Sequence, residues 1–357
     1  VGTGAKASKL CAYTVLRLHS VKPGGEIFTK YYERIFMRGR VHVNGRINQA
    51  YEAAQLYYVQ DMTMDGIANR LGVSRATVSR LLKSARETGM VQIRLDDSFR
   101  VRSELERRIS ERYKTRVSLV NTRADATPIA VMGQVARTAA QLLDSMIDDG
   151  TSVGVAWGAT VTEVSRHLPR RPLNGVKIVQ LNGAGNAHHT GIPYLDTLLG
   201  RLVTAYDAYI VHFPVPAFFD YADTKDAMWR ERSVQATLRA QRKVDVALFG
   251  IGAFGGAIPS HVYSGGYFDA AAQRTLREQG VVGDICTILL REDGSWKDLE
   301  MNRRASGPTP TELTHIPRRL CVASGVHRAA VLRAALRTGA ITDLVLDEQL
   351  GRALIEK

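Results

Sequence analysis

Cysteine is scarce. The three in the chain, Cys11, Cys286 and Cys321, lie far apart, and they fit neither a disulfide framework nor a zinc-binding spacing. Cys286 and Cys321 sit in apolar, strand-like runs, where a thiol is buried and inert. No run of about 18 apolar residues occurs, so no membrane-spanning helix is expected. The N-terminus lacks the apolar core of a secretory leader. His188 and His189 stand together without a carboxylate or a third ligand at metal spacing, so no metal is expected, and no cofactor. These absences place the chain in a reducing cytoplasm.

What is abundant is positive charge. The 357 residues carry a net charge of +13, with a pI near 9.8, a balance that suits a polyanionic partner. Residues 1–98 hold 15 Lys+Arg against 8 Asp+Glu, and residues 99–357 hold 33 against 27. The excess is therefore densest at the front. A chain of this length is expected to form about two domains.

The stretch from Thr63 to Leu82 explains where the charge gathers. Thr63 is an N-cap, and Ile67, Ala68 and Leu71 follow on one helical face. Gly72 ends that helix, because glycine enters the left-handed region at little cost. Ser74 caps a second helix, whose Val78, Leu81 and Leu82 point back at the first. This is the spacing of a helix-turn-helix. The outer surface carries Arg70, Ser74, Arg75, Thr77, Ser79, Arg80 and Lys83, side chains that reach phosphates and base edges of double-stranded operator DNA. Residues 47–60 read as a support helix with Ile47, Tyr51, Ala54 and Tyr58 on its buried stripe. Val91 to Leu95 alternates like the strand of a small wing. The DNA-binding domain is thus expected over 47–98. Residues 1–46 read as a basic, poorly ordered tail, and 99–115 as a charged linker helix.

From Val117 the pattern changes to strands alternating with helices, up to a last strand at Leu344–Leu346 and a terminal helix opened by Asp347. Such alternation predicts an α/β fold, a doubly wound parallel sheet covered on both faces, over 116–357. Ligands in these folds sit beyond the carboxyl ends of the strands. Small or amide-bearing residues cluster there: Gly158, Ala159 and Thr160; Asn182, Gly183 and Gly185; Gly250 and Gly252; Ser324 and Gly325. Glycine turns let backbone amides approach an anion, and helix N-termini add partial positive charge. Arg328 can pair with a phosphate. Asp284 can accept from a sugar hydroxyl, and Asn302 lies in a polar loop at the pocket border.

Taken with Gly280-Val-Val-Gly283-Asp284, Met301-Asn302-Arg303 and Asp347-Glu348, these motifs resemble the SorC/DeoR-like sugar-binding transcriptional regulators over about residues 47–357. The resemblance implies a bacterial regulator whose C-terminal domain is like the phosphosugar isomerases and glucosamine-phosphate deaminases. It implies a phosphorylated sugar effector and a homo-oligomer, a dimer or tetramer. It places Gly158, Ala159, Thr160, Gly252, Asp284 and Arg328 in the effector pocket. Two positions depart from the family: Arg328 stands where lysine is common, and Ala159 replaces a small polar residue or glycine. Arginine cannot form a Schiff base but binds phosphate bidentately. The alternative is a sugar-phosphate isomerase or deaminase with an accessory DNA-binding unit. That enzyme needs an acid–base pair, and only Asp284 is in view. A plain nucleoid-type DNA binder is the third reading. The expectation is a non-enzymatic regulator with no catalytic residues.

Overall fold

A computed structural model describes residues 45–91, 102–186 and 191–356. The strand read over 91–95 falls outside the described residues beyond Val91, as do the tail before residue 45 and the pair His188–His189. The chain divides into two compact units between Arg94 and Leu95.

In the first unit, α1 spans 45–58, α2 Met64–Leu71 and α3 Arg75–Glu87. Their ends follow from local chemistry. Thr63 accepts from the Gly66 amide at 3.2 Å, and Ser74 accepts from the Thr77 amide at 3.1 Å. Gly72, at φ 65°, ends α2 and returns its N–H to Ala68. Ala50, Ala53, Ala54 and Leu56 of α1 pack on Ile67, Ala68, Val78, Leu82 and Ala85. Of the stripe expected for α1, Ala54 is buried and Tyr58 packs against this core, while its first two members turn outward. Ile47 and Tyr51 are 43% and 62% exposed, because alanines let helices approach closely and the bulky side of α1 turns outward.

The second unit opens with α4, Glu104–Tyr113. It is no free linker. Ser103 and Glu106 form a capping box, and the second carboxylate oxygen of Glu106 accepts from the Leu119 amide at 2.8 Å. Ile109 is fully buried in the core of this unit. Seven parallel strands follow: β1 Arg116–Val120, β2 Ser152–Val155, β3 Lys177–Gln180, β4 Tyr209–Val211, β5 Val246–Phe249, and, after a separate small sheet, β9 Arg318–Ala323 and β10 Asp343–Asp347. Their order is β1-β10-β9-β5-β2-β3-β4. Both faces are covered: Ile178 packs into one core and its neighbour Val179 into the other. Burial on both faces is why these strands read as continuous apolar runs. Helix α5, Pro128–Asp144, covers one face, and α6, Ala159–Arg166, follows β2.

From β2 the chain winds outward to β3 and β4, then returns to lay β5 on the opposite side of β2. The reversal leaves a crevice beyond the carboxyl ends of β2 and β5. A second sheet stands beside it: β6 Ile251–Ala253, β7 Val281–Ile285 and β8 Ile288–Arg291, all antiparallel. Gly250–Gly252, expected as a turn, is largely built into β6, and Gly283 lies within β7. Gly283 must be glycine because the Gly252 carbonyl lies where its β-carbon would be, at 2.1 Å.

Candidate functional site

Two surfaces hold the residues singled out by sequence. On the first unit, α3 exposes Arg75, Ser79, Arg80 and Lys83, and α2 exposes Arg70. Arg75 opens α3 and meets Asp65 of α2 through its Nε at 3.6 Å. Arg80 donates from Nε to the Ala76 carbonyl at 3.3 Å and from one terminal nitrogen to Thr77 Oγ1 at 3.4 Å. Thr77 Oγ1 also bonds Ser74 Oγ at 2.9 Å. Ser74 and Thr77 thus spend their hydroxyls on the helix start and on Arg80.

On the second unit a hollow of about 500 Å³, counting its open mouth, occupies the crevice at the strand reversal. Gly158, Ala159, Thr160, Asn182, Gly250, Gly252, Asp284 and Arg328 all line it. Gly158 is the N-cap of α6 and supplies no side-chain cap, so the first amides of α6 remain available to an anion. Arg328 is buried. Its terminal nitrogens donate to the Ser324 carbonyl at 2.7 Å and the Ile258 carbonyl at 3.0 Å, while its Nε has no partner. Burial pulls its pKa below the ordinary arginine value, and Asp347 partly restores it.

Asp284 lines the same hollow from β7. Its Oδ2 accepts from the Thr287 amide at 3.1 Å, and its Oδ1 completes no hydrogen bond. Burial raises this carboxyl to about 6, against the Thr287 amide and the nearby Tyr263 hydroxyl, which favour the charged form. The Tyr263 hydroxyl is itself buried without completing a bond. Asn182 Oδ1 is a third buried atom on this lining without a partner. A buried polar atom left unmet costs roughly 1–3 kcal/mol. Three around one hollow, two acceptors and one cationic donor, suit a ligand with hydroxyls and an anionic group.

Four expected residues lie elsewhere. Gly183 is not on the lining: the Val215 and Pro216 carbonyls lie where its β-carbon would be. Its own carbonyl accepts from Trp157 Nε1 at 2.7 Å. Gly185 forms a bridge with Pro216. Asn302 spends its amide on Leu289 and the Trp296 carbonyl, pinning β8 rather than bordering the hollow. Gly325, at φ 90°, donates to Asp347 Oδ2 at 2.7 Å and starts the turn that carries Arg328. Sequence reasoning missed Ser260, His261, Cys286 and Thr287, which line the hollow. Cys286 and Thr287 form the β7–β8 turn at φ 50° and 72°, a conformation that the usual Asn-Gly signal would have announced. Among the described residues no group of His, Cys, Asp and Glu is placed to hold a metal, and no helix is long and apolar enough to cross a membrane.

Comparison with known proteins places this geometry in context. The family model described as "Putative sugar-binding domain" matches residues 97–356, and one described as "Sigma-70, region 4" matches residues 54–88. The "Deoxyribonucleoside regulator" of Bacillus subtilis is 29% identical over 304 residues, 85% of this chain and 96% of the relative. The crystal structure of a domain of "a possible sugar-binding transcriptional regulator" from Arthrobacter aurescens is 41% identical, with a TM-score of 0.66 over 72% of this chain and 98% of that one. The full-length sorbitol operon regulator SorC of Klebsiella pneumoniae shares the fold, at 24% identity and a TM-score of 0.66 over 86% of this chain and 98% of that one.

Proposed function

The chain belongs to the family of sugar-binding transcriptional regulators that includes the SorC- and DeoR-like proteins, and from that premise we propose that a phosphorylated sugar in the β2–β5 crevice sets its affinity for operator DNA. The helix-turn-helix is the DNA-binding part, and the doubly wound domain is the sensor. The observation that carries the reading is the convergence of Asn182 Oδ1, Asp284 Oδ1 and Arg328 Nε, all buried and unmet, beside the uncapped start of α6. The α6 amides and Arg328 receive the phosphate. Asp284 and Asn182 receive hydroxyls.

An effector changes DNA affinity only through different affinities for two states of the protein. The protein works as a homo-oligomer in the bacterial cytoplasm, on an operator whose half-sites repeat as its subunits do. It is a regulator rather than an enzyme, in keeping with relatives that are named as regulators.

A thermal-shift screen of aldose and ketose phosphates, followed by operator titration with and without the best ligand, tests this. Binding should raise the melting temperature and change operator affinity. A sugar phosphate that is steadily converted to product, or a panel that shifts nothing, would overturn it.

A further inference from the structure

We propose that α3 reads guanine at two points of each operator half-site through Arg75 and Arg80, and that Asp65 is the positioning residue for the first. The inference rests on α3 being the DNA-reading helix. A guanidinium reads guanine by giving two N–H groups to O6 and N7. It can do this well when its stem is already held, because less side-chain freedom is lost on contact.

Arg80 is hydrogen-bonded through Nε, and Arg75 is drawn toward a carboxylate. Arg75 meets Asp65 Oδ1 at 3.6 Å by Nε, and Arg80 gives its Nε to the Ala76 carbonyl at 3.3 Å. The terminal nitrogens of Arg75 remain for a partner. In Arg80 one terminal nitrogen makes only a long contact, 3.4 Å, to Thr77 Oγ1. That hydroxyl also bonds Ser74, so Thr77 serves the arginine rather than a base.

Asp65 has a second effect. Its carboxylate, 70% exposed, repels any phosphate near Arg75, so a neutral base edge becomes the favoured partner. The two arginines are five residues apart, about 7.5 Å along a helix. With α3 laid along the groove, that length would span about two base-pair steps.

The full-length chain is titrated on a randomised duplex pool at fixed salt. Each guanine of the selected half-site is then replaced by 7-deazaguanine, which lacks N7. Two guanines about two base pairs apart should each lose about tenfold in affinity when replaced. Arg75→Ala and Arg80→Ala should each abolish one of these dependences, which assigns them. Asp65→Asn should weaken the dependence assigned to Arg75 and keep that of Arg80. Were Asp65 only a helix-start acid, Asp65→Asn would lower the melting temperature and leave both dependences intact. That result overturns its positioning role. A selected half-site without the guanine pair overturns the proposal as a whole. A chain that selects no duplex at all takes the DNA-reading helix down with it, and the two failures are distinct.

Discussion

Asp284 Oδ1 lies so close to Gly252 that a β-carbon added there would fall 1.9 Å from it. The two residues are register partners across β6 and β7. The carboxylate therefore fills space that any other residue at 252 would take. Gly252→Ala should displace it and lower sugar-phosphate affinity by roughly tenfold or more, while operator binding without effector is kept. Calorimetric titration checks this, and unchanged affinity would remove Asp284 from the ligand contacts.

Asp284 also ties stability to pH. Burial raises its carboxyl from 3.8 to about 6. The unfolded chain therefore gives up this proton first, so the contribution is full below the unfolded value and is lost as pH rises through about 6. Asp284→Asn removes the penalty. The variant should be more stable than the parent by about 2–3 kcal/mol at pH 8, and the difference should fade toward pH 4. Urea unfolding at the two pH values measures it. An equal effect at both would exclude burial of the charge as the cause.

Arg328→Met should separate the anion from the sugar. The buried cation disappears while the hydroxyl-accepting side of the hollow is kept. The preference for a phosphorylated sugar over its unphosphorylated parent should fall by roughly a hundredfold, the scale of a charge-assisted bidentate contact. Paired titrations with the two ligands give the ratio directly. A preserved ratio would assign the phosphate to the α6 amides alone.

Glu106→Ala addresses the second unit's first helix. The carboxylate accepts from the Ser103 and Leu119 amides at 2.8 Å each, and its loss leaves one buried and one partly buried donor unmet. Stability should drop by about 2–4 kcal/mol, with sugar-phosphate affinity unchanged in the fraction that stays folded. Denaturant unfolding combined with ligand titration tests both halves of the statement.

Much of this architecture could be read from the residues, and the exceptions have physical causes. Thr63, Gly72 and Ser74 announced the helix-turn-helix because caps act locally. The parallel strands were legible because burial on both faces writes apolar runs. The small antiparallel sheet was not, since Gly252 and Gly283 are needed for close backbone approach and look like turn residues in isolation. The buried face of α1 was legible at Ala54 and Tyr58 but not at its start, where Ala50 and Ala53 pack while Ile47 and Tyr51 stand out. Glycines at a sheet edge carry the same ambiguity: Gly158 leaves amides open, whereas Gly183 makes room for the Val215 and Pro216 carbonyls. Asn302 looked like a pocket residue, yet the backbone of Leu289 and Trp296 claims all of its amide.

The reversal of strand order between β2 and β5 also sets a timetable for biosynthesis. The helix-turn-helix leaves the ribosome before the sensor. The sensor's walls arrive in instalments, and the turn bearing Arg328 emerges only when almost the whole sheet has been translated. The effector hollow therefore cannot close until long after the helix-turn-helix has been made.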